Sequence, residues 1–127
     1  VICAGGGGIP VVKDKDGSLK GIEAVIDKDS VSCLVAKELK ADCFVISTAV
    51  DKVYLNYGKS DQKTVDVLTT REALEYIDDE QFAKGSMLPK VKAMIDFVNA
   101  TGSYGIICDP NSIVDAVNKK AGTRFIL

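Results

Sequence analysis

Three clusters hold residue types suited to chemistry: the run Gly5, Gly6, Gly7, Gly8, Ile9, Pro10; the triplet Asp27, Lys28, Asp29; and Gly85, Ser86, Met87, Leu88, Pro89, Lys90. Glycine backbone lets a ligand approach closely, lysines neutralise phosphate oxygens, and a carboxylate can hold lysines or a metal in place. Together these suit phosphoryl transfer. The chain has no histidine, which removes Ser-His and Cys-His nucleophilic machinery. Chemistry must then use lysine, carboxylate, backbone amides or a bound metal. Each cluster also has a plainer reading: the glycines as a loop, the triplet as a helix cap, Lys90 as a solvated surface lysine, Met87 as core filler.

The elements that must position these clusters can be read from periodicity and turn signals. Val1 to Ala4 reads as a buried strand, and Val11 to Val25 as two strands joined around Asp16 and Gly17. A helix after Asp27 carries an apolar face of Val31, Leu34, Val35 and Leu39 and ends near Lys40. Cys43 to Ser47 has the continuous apolar character of a strand in the middle of a parallel sheet, and Val53 to Asn56 extends away from it. Thr69 followed by Glu72 fits a capping box, so a helix is expected from Thr70 to Ile77. Pro89 suits the first helical position, opening a longer helix with Val91, Met94, Ile95 and Val98 inward and Gly102 as its left-handed stop. Tyr104 to Cys108 is a further strand. Pro110 opens a helix with Ile113, Val114 and Val117 inward, Gly122 closes it, and Arg124 to Leu127 is a last short strand.

Alternating strands and helices predict an α/β fold with a mainly parallel sheet covered on both faces. Ligands on such sheets gather outside the carboxyl ends of the strands. The glycine run, Thr48 to Asp51, and Lys90 in the first turn of its helix are all expected at that edge. A helix start has unpaired amides and a positive dipole end, which makes Lys90 the best single candidate for phosphate contact.

With 127 residues, 46% of them apolar, the chain can bury one core, and one domain is expected over 1–127. The formal net charge of −2 and the absence of a basic run argue against nucleic acid as a partner. No apolar stretch reaches the roughly 18 residues that would span a bilayer, and a cytoplasmic location is expected. Cysteines at 3, 33, 43 and 108 form no Cys-x-x-Cys pair, which favours reduced, buried thiols and disfavours structural zinc. The chain starts at Val1 within an apolar run and reads as a piece of a longer protein whose missing part is N-terminal.

On its motifs the chain resembles the carbamate kinases. The segments that carry the resemblance are Gly5 to Val11, Gly21 to Asp29, Thr48 to Tyr54, Asn56 to Lys59, and Gly85 to Val91, in that order along the chain. The resemblance implies the C-terminal part of an amino acid kinase fold, a three-layer αβα sandwich whose C-terminal half binds the nucleotide. It implies reversible phosphoryl transfer between carbamoyl phosphate and ADP with Mg2+, giving ATP and carbamate, usually as the last step of arginine deiminase fermentation, in a protein that is a homodimer when complete. By motif, Lys28 and Lys90 would contact the transferring and nucleotide phosphates, and Asp29 would orient the lysines. Thr48, Val50, Tyr54 and Met87 would line the nucleotide pocket, and Gly5, Gly6, Gly7 and Gly8 would border the carbamoyl phosphate side. No side chain is assigned to a resident metal.

The residues agree with these roles. A loose phosphoryl-transfer transition state spreads charge over equatorial oxygens, so fixed cations and aligned donors do most of the catalysis. The family's N-terminal phosphate loop has no counterpart in this chain, so activity is assigned to the parent protein. Two other readings stay open: a nucleotide-binding module without catalysis, and an amino acid kinase acting on a carboxylate substrate such as an acyl-glutamate.

Overall fold

The computed structural model describes residues 1–2 and 5–127. Its centre is a four-stranded sheet of β5 (Cys43–Ser47), β9 (Tyr104–Cys108), β10 (Thr123–Ile126) and β8 (Val67–Thr69), in that spatial order. The preceding strands lie outside it. Gly7–Gly8 (β1) pairs antiparallel with Ile26–Asp27 (β4), Val11–Lys13 (β2) with Leu19–Gly21 (β3), and Val53–Leu55 (β6) with Lys63–Val65 (β7). The helices among the described residues are α1 (Lys28–Glu38), α2 (Thr70–Asp78), α3 (Met87–Thr101) and α4 (Ile113–Val117), the last preceded by a 3-10 turn over Pro110–Ser112.

Strand alternation makes the layers. Phe44, Ile46, Ile107 and Phe125 face a core shared with α3, while Cys43, Val45, Ile106 and Cys108 face Ala116 of α4. α3 packs on the sheet with α1 and α2 beside it, and α4 covers the opposite face. The expected three-layer α/β class is found, with two differences of detail. β5 is an edge strand among the described residues, with β9 and β10 in the middle, and the two parallel pairs β5/β9 and β10/β8 flank an antiparallel β9/β10 pair. A continuous apolar run reports burial on both faces, and an edge strand covered on both faces reads the same way.

α3 is the axis of the core. Val91, Met94, Phe97 and Val98 are fully buried, and Gly102 closes the helix at φ +70°. It starts at Met87, two residues earlier than expected. Pro89 is still tolerated because first-turn amides have no intrahelical acceptor. Gly105 on the facing strand has no room for a side chain, since an added methyl would overlap the Met94 sulfur.

The buried faces of α1 and α4 depart from expectation for one common reason. α1 buries Asp29, Cys33 and Ala36 rather than the larger Leu34 and Leu39, which are exposed. Cys33 and Ala36 are small enough to seat α1 closely against α3, and the face is chosen by that fit, not by hydrophobicity alone. α4 likewise buries only Ala116 and leaves Ile113, Val114 and Val117 exposed. Val1 and Ile2 are exposed and belong to no strand; the rest of that expected strand, Cys3 and Ala4, lies outside the described residues.

Three helices end with a non-glycine residue in the left-handed region: Lys40 (φ +50°), Glu80 (φ +53°) and Lys119 (φ +63°). After α1, the Lys40 N–H donates to Lys37 O and the Ala41 N–H to Ala36 O, the double bond of a Schellman ending. A side chain in this backbone region costs about 1 kcal/mol that glycine avoids. Lys40→Gly is therefore expected to raise the thermal midpoint by a few degrees in a calorimetric scan; an unchanged or lower midpoint would contradict the strained ending.

Candidate active site

The triplet divides its labour. Asp27 is the N-cap of α1, its carboxylate accepting from the Asp29 N–H at 2.8 Å. That satisfies the capping reading for Asp27 and leaves Asp29 for another role. Asp29 is buried, and its Oδ2 accepts from Lys90 Nζ at 2.9 Å, with Lys28 Nζ at 3.5 Å. Lys90 is also buried, whereas the Lys28 side chain is half exposed. One carboxylate thus offsets the repulsion of two ammonium groups, one fixed in the α1/α3 seam and one at the surface.

The same seam is tied further along by Lys37 Nζ, which donates to Asp96 Oδ2 at 2.7 Å, and by Cys33 Sγ, 3.4 Å from the same oxygen. Lys37 holds the Asp96 carboxyl below the usual range. Burial, helped by the bond to Asp96, pushes the Cys33 thiol up to about 11. Cys33, Cys43 and Cys108 are all free, and burial raises the latter two as well.

The glycine run also divides. Gly7 and Gly8 pair with Asp27 and Ile26, which brings the loop directly beside the triplet. An added Cβ on Gly7 would lie 2.5 Å from the Ile26 carbonyl oxygen, and one on Gly8 2.7 Å from a Val31 methyl, so both are required by packing. A Cβ added at Gly5, at φ +47°, or at Gly6 would meet nothing within 4 Å among the described residues. Close approach of a ligand is therefore available at Gly5 and Gly6.

The expected nucleotide residues border one cavity. Thr48, Val50, Tyr54 and Met87 line a mainly apolar pocket of about 200 Å³ together with Tyr57 and Phe82. Thr48 leaves β5 with its N–H on the Cys108 carbonyl at 2.8 Å. Tyr54 donates to Asp51 Oδ1 at 2.6 Å, which raises the phenol above its ordinary range, and its ring meets Tyr57 edge-on with centroids 5.7 Å apart. Met87 is the first residue of α3 and Lys90 lies one turn further on, so one helix connects the pocket to the paired charges.

The start of α3 differs from expectation in a second respect. The amides of Ser86, Met87 and Leu88 all donate to the Ala83 carbonyl, at 3.2, 3.1 and 3.0 Å. Pro89 has no N–H, so the helix start does not present the row of free amides expected beside Lys90. What distinguishes Lys90 is its buried pairing with Asp29.

Ser86 of the Gly85–Lys90 cluster also borders the pocket, as do Tyr57, Gln81 and Phe82, to which the sequence assigns no pocket role. Tyr57 stands within the Asn56 to Lys59 motif, which was a usable signal. Gln81 was invisible: its Oε1 accepts from the Asn56 N–H at 2.9 Å, a contact between distant segments. Thr123 is similar. Fully buried on β10, its hydroxyl accepts from the Val53 N–H at 2.8 Å and donates to the Val65 carbonyl, tying the pocket loop to the sheet. Thr123→Val keeps the shape and strands two backbone groups, so a loss of about 1–3 kcal/mol is expected in denaturant unfolding; a loss under half a kcal/mol, on the order of surface substitutions, would show that the tie is dispensable.

Comparisons with known proteins agree with one another. The model of the amino acid kinase family matches residues 1–109. The chain is similar to the carbamate kinase of Staphylococcus haemolyticus, at 52% identity over 125 residues covering 97% of this chain and 40% of that protein. It is similar to the solved carbamate kinase from Giardia lamblia bound to AMP-PNP, at 43% identity and a TM-score of 0.88 over 95% of this chain and 42% of that one. N-acetylglutamate synthase from Neisseria gonorrhoeae, at 15% identity and a TM-score of 0.64 over 92% of this chain and 26% of that one, shares the fold alone. The chain spans about 40% of the length of the curated relatives it matches. A family model covering most of the chain, on a fold shared at this closeness, places the protein: it belongs to the amino acid kinase family.

Proposed function

We propose that this chain is the nucleotide-binding part of a carbamate kinase, which moves the terminal phosphoryl group between carbamoyl phosphate and ADP. The observation that carries the reading is the buried Asp29–Lys90 pair one helical turn from the apolar pocket at the start of α3. In this reading the base and sugar of ADP occupy the pocket bordered by Thr48, Val50, Tyr54 and Met87. Lys90 and Lys28 face the phosphates, where fixed cations stabilise the charge that spreads over the transferring group. Asp29 positions both lysines, and the open backbone at Gly5 and Gly6 borders the carbamoyl phosphate. The AMP-PNP in the Giardia relative supports a nucleotide as ligand.

No group of three metal-ligating side chains converges among the described residues, and Asp29 is already engaged by two lysines. These side chains do not form a magnesium cage, and no step is routed through one. Mg2+ would arrive on the phosphates of ADP or ATP, as it commonly does. The complete protein would act as a homodimer in the cytoplasm, at the end of arginine deiminase fermentation. No helix among the described residues is long and apolar enough to cross a membrane.

The test is ATP formation from carbamoyl phosphate and ADP with Mg2+, using full-length protein of verified intact mass. Turnover that depends on carbamoyl phosphate supports the proposal. ADP binding without turnover would replace it with a non-catalytic nucleotide-binding module, and turnover with an amino acid instead would move it to another branch of the family.

A further inference from the structure

A second recess of about 200 Å³ opens where β10 begins, and its walls carry Lys52, Lys119, Lys120 and Arg124 against a single carboxylate, Asp66. The local structure explains how these cations meet. α4 ends with Lys119 in the left-handed region, the Lys119 N–H on Ala116 O and the Lys120 N–H on Asp115 O, both at 2.8 Å. Two successive lysines therefore follow the helix end. Gly122, at φ +77°, turns the chain into β10, and the Arg124 N–H donates to the Asp66 carbonyl at 2.9 Å, which sets β10 beside Asp66. Lys52 arrives from the loop after β5 and pairs with the Asp66 carboxylate.

The charge is not balanced locally. The described ion pairs give Lys52 a carboxylate and give none to Lys119, Lys120 or Arg124. Lys119 lies 5.3 Å from the centre of the Tyr104 ring, a partial compensation. Lysines after a helix end are favoured by the dipole, which accounts for Lys119 and Lys120. It does not account for Arg124 and Lys52, which come from other elements to line the same concavity. The whole chain is formally negative at −2, so this cluster runs against the overall balance. We infer that the recess binds a compact phosphate-type oxyanion, at a site separate from the Lys28, Asp29 and Lys90 group. Arg124 would supply a planar fork of donors suited to such oxygens, and the lysines would supply point charges.

The test is calorimetric titration of the full-length protein with inorganic orthophosphate and, separately, with glycerol phosphate, with backbone amide shifts in nitrogen-labelled protein to locate binding. Saturable binding with shifts at Lys52, Asp66 and residues 119–124 is expected. Lys120→Glu should weaken it about tenfold or more, the scale of losing one charged hydrogen-bond donor. Lys15→Glu makes the same charge change on the exposed β2/β3 turn and should leave it nearly unaltered. Lys119→Ala, a milder change at the same rim, should weaken it in the same direction. Binding abolished by Lys28→Ala and indifferent to Lys120→Glu would belong to the candidate active site and overturn the inference. Equal weakening by Lys120→Glu and Lys15→Glu, or no saturable binding, would overturn it as well. Tighter binding of the ester than of orthophosphate would identify a phosphorylated metabolite as the ligand; equal binding would identify free phosphate.

Discussion

Lys90→Ala in the full-length protein is expected to lower turnover by roughly a hundredfold or more, the scale of losing one preorganised transition-state donor. The loss should fall on kcat more than on KM for ADP, because the proposed contact strengthens as charge develops on the transferring group. The Lys90 side chain is only 11% exposed, and Asp29, its partner at 2.9 Å, 8%. Removing the lysine therefore leaves a buried carboxylate, which in general costs several kcal/mol. Lys28, already 3.5 Å from the same oxygen, can take over part of that pairing, so a folded variant is expected. Thermal melting distinguishes the two effects. A folded variant with normal turnover would remove Lys90 from the mechanism, and an unfolded one would be replaced by Lys90→Met, which fills the seam without the charge.

Val98→Asp is the second large expected effect, and it concerns the fold. Val98 is fully buried on α3, within the core that joins the helix to Phe44, Ile107 and Phe125. The nearby cations at the α1/α3 seam are already committed, Lys37 to Asp96 and Lys90 to Asp29. A new carboxylate would be desolvated without a partner, a penalty that can match the 5–15 kcal/mol stability usual for a domain. Loss of cooperative unfolding by circular dichroism is expected, with no soluble native state at ordinary temperature. A midpoint within a few degrees of the wild type would contradict the placement of α3.

The legible part of the fold is the part written in local code. Thr69 and Glu72 form the capping box that their spacing announced, with bonds at 2.9 and 3.2 Å. Val91, Met94, Ile95 and Val98 form the buried stripe of α3, and Gly102 ends it. The β2/β3 hairpin turns at Asp16 and Gly17. Each of these depends on residues within one or two turns of each other. The short strands β7 and β8 are not legible because three residues give too little periodicity, and the β10 partner of β8 is distant in sequence.

The candidate site shows the same division. The resemblance to the carbamate kinases named the four pocket residues Thr48, Val50, Tyr54 and Met87, while residue type alone singled out the triplet Asp27, Lys28 and Asp29 together with Lys90. It could not say that Asp27 is the cap while Asp29 turns inward, because both aspartates suit the first turn equally well. The direction was decided by Lys90, 61 positions away. Nor could it separate the packed Gly7 and Gly8 from the open Gly5 and Gly6, since that difference is made by Ile26 and Val31.

By itself, then, the sequence determined the capping box that opens α2, the stripe that makes α3 the core, the glycine that ends it and the apolar strands β5 and β9. These follow from backbone stereochemistry and hydrophobic periodicity, which act over a few residues. The tertiary structure alone decided which face of α1 and α4 is buried, where β5 sits in the sheet, which backbone amides remain free at the start of α3, and that Lys52, Lys119, Lys120 and Arg124 share a recess. Those outcomes depend on the shape and charge of distant partners, and close packing selects small residues such as Cys33, Ala36 and Ala116 over larger apolar neighbours.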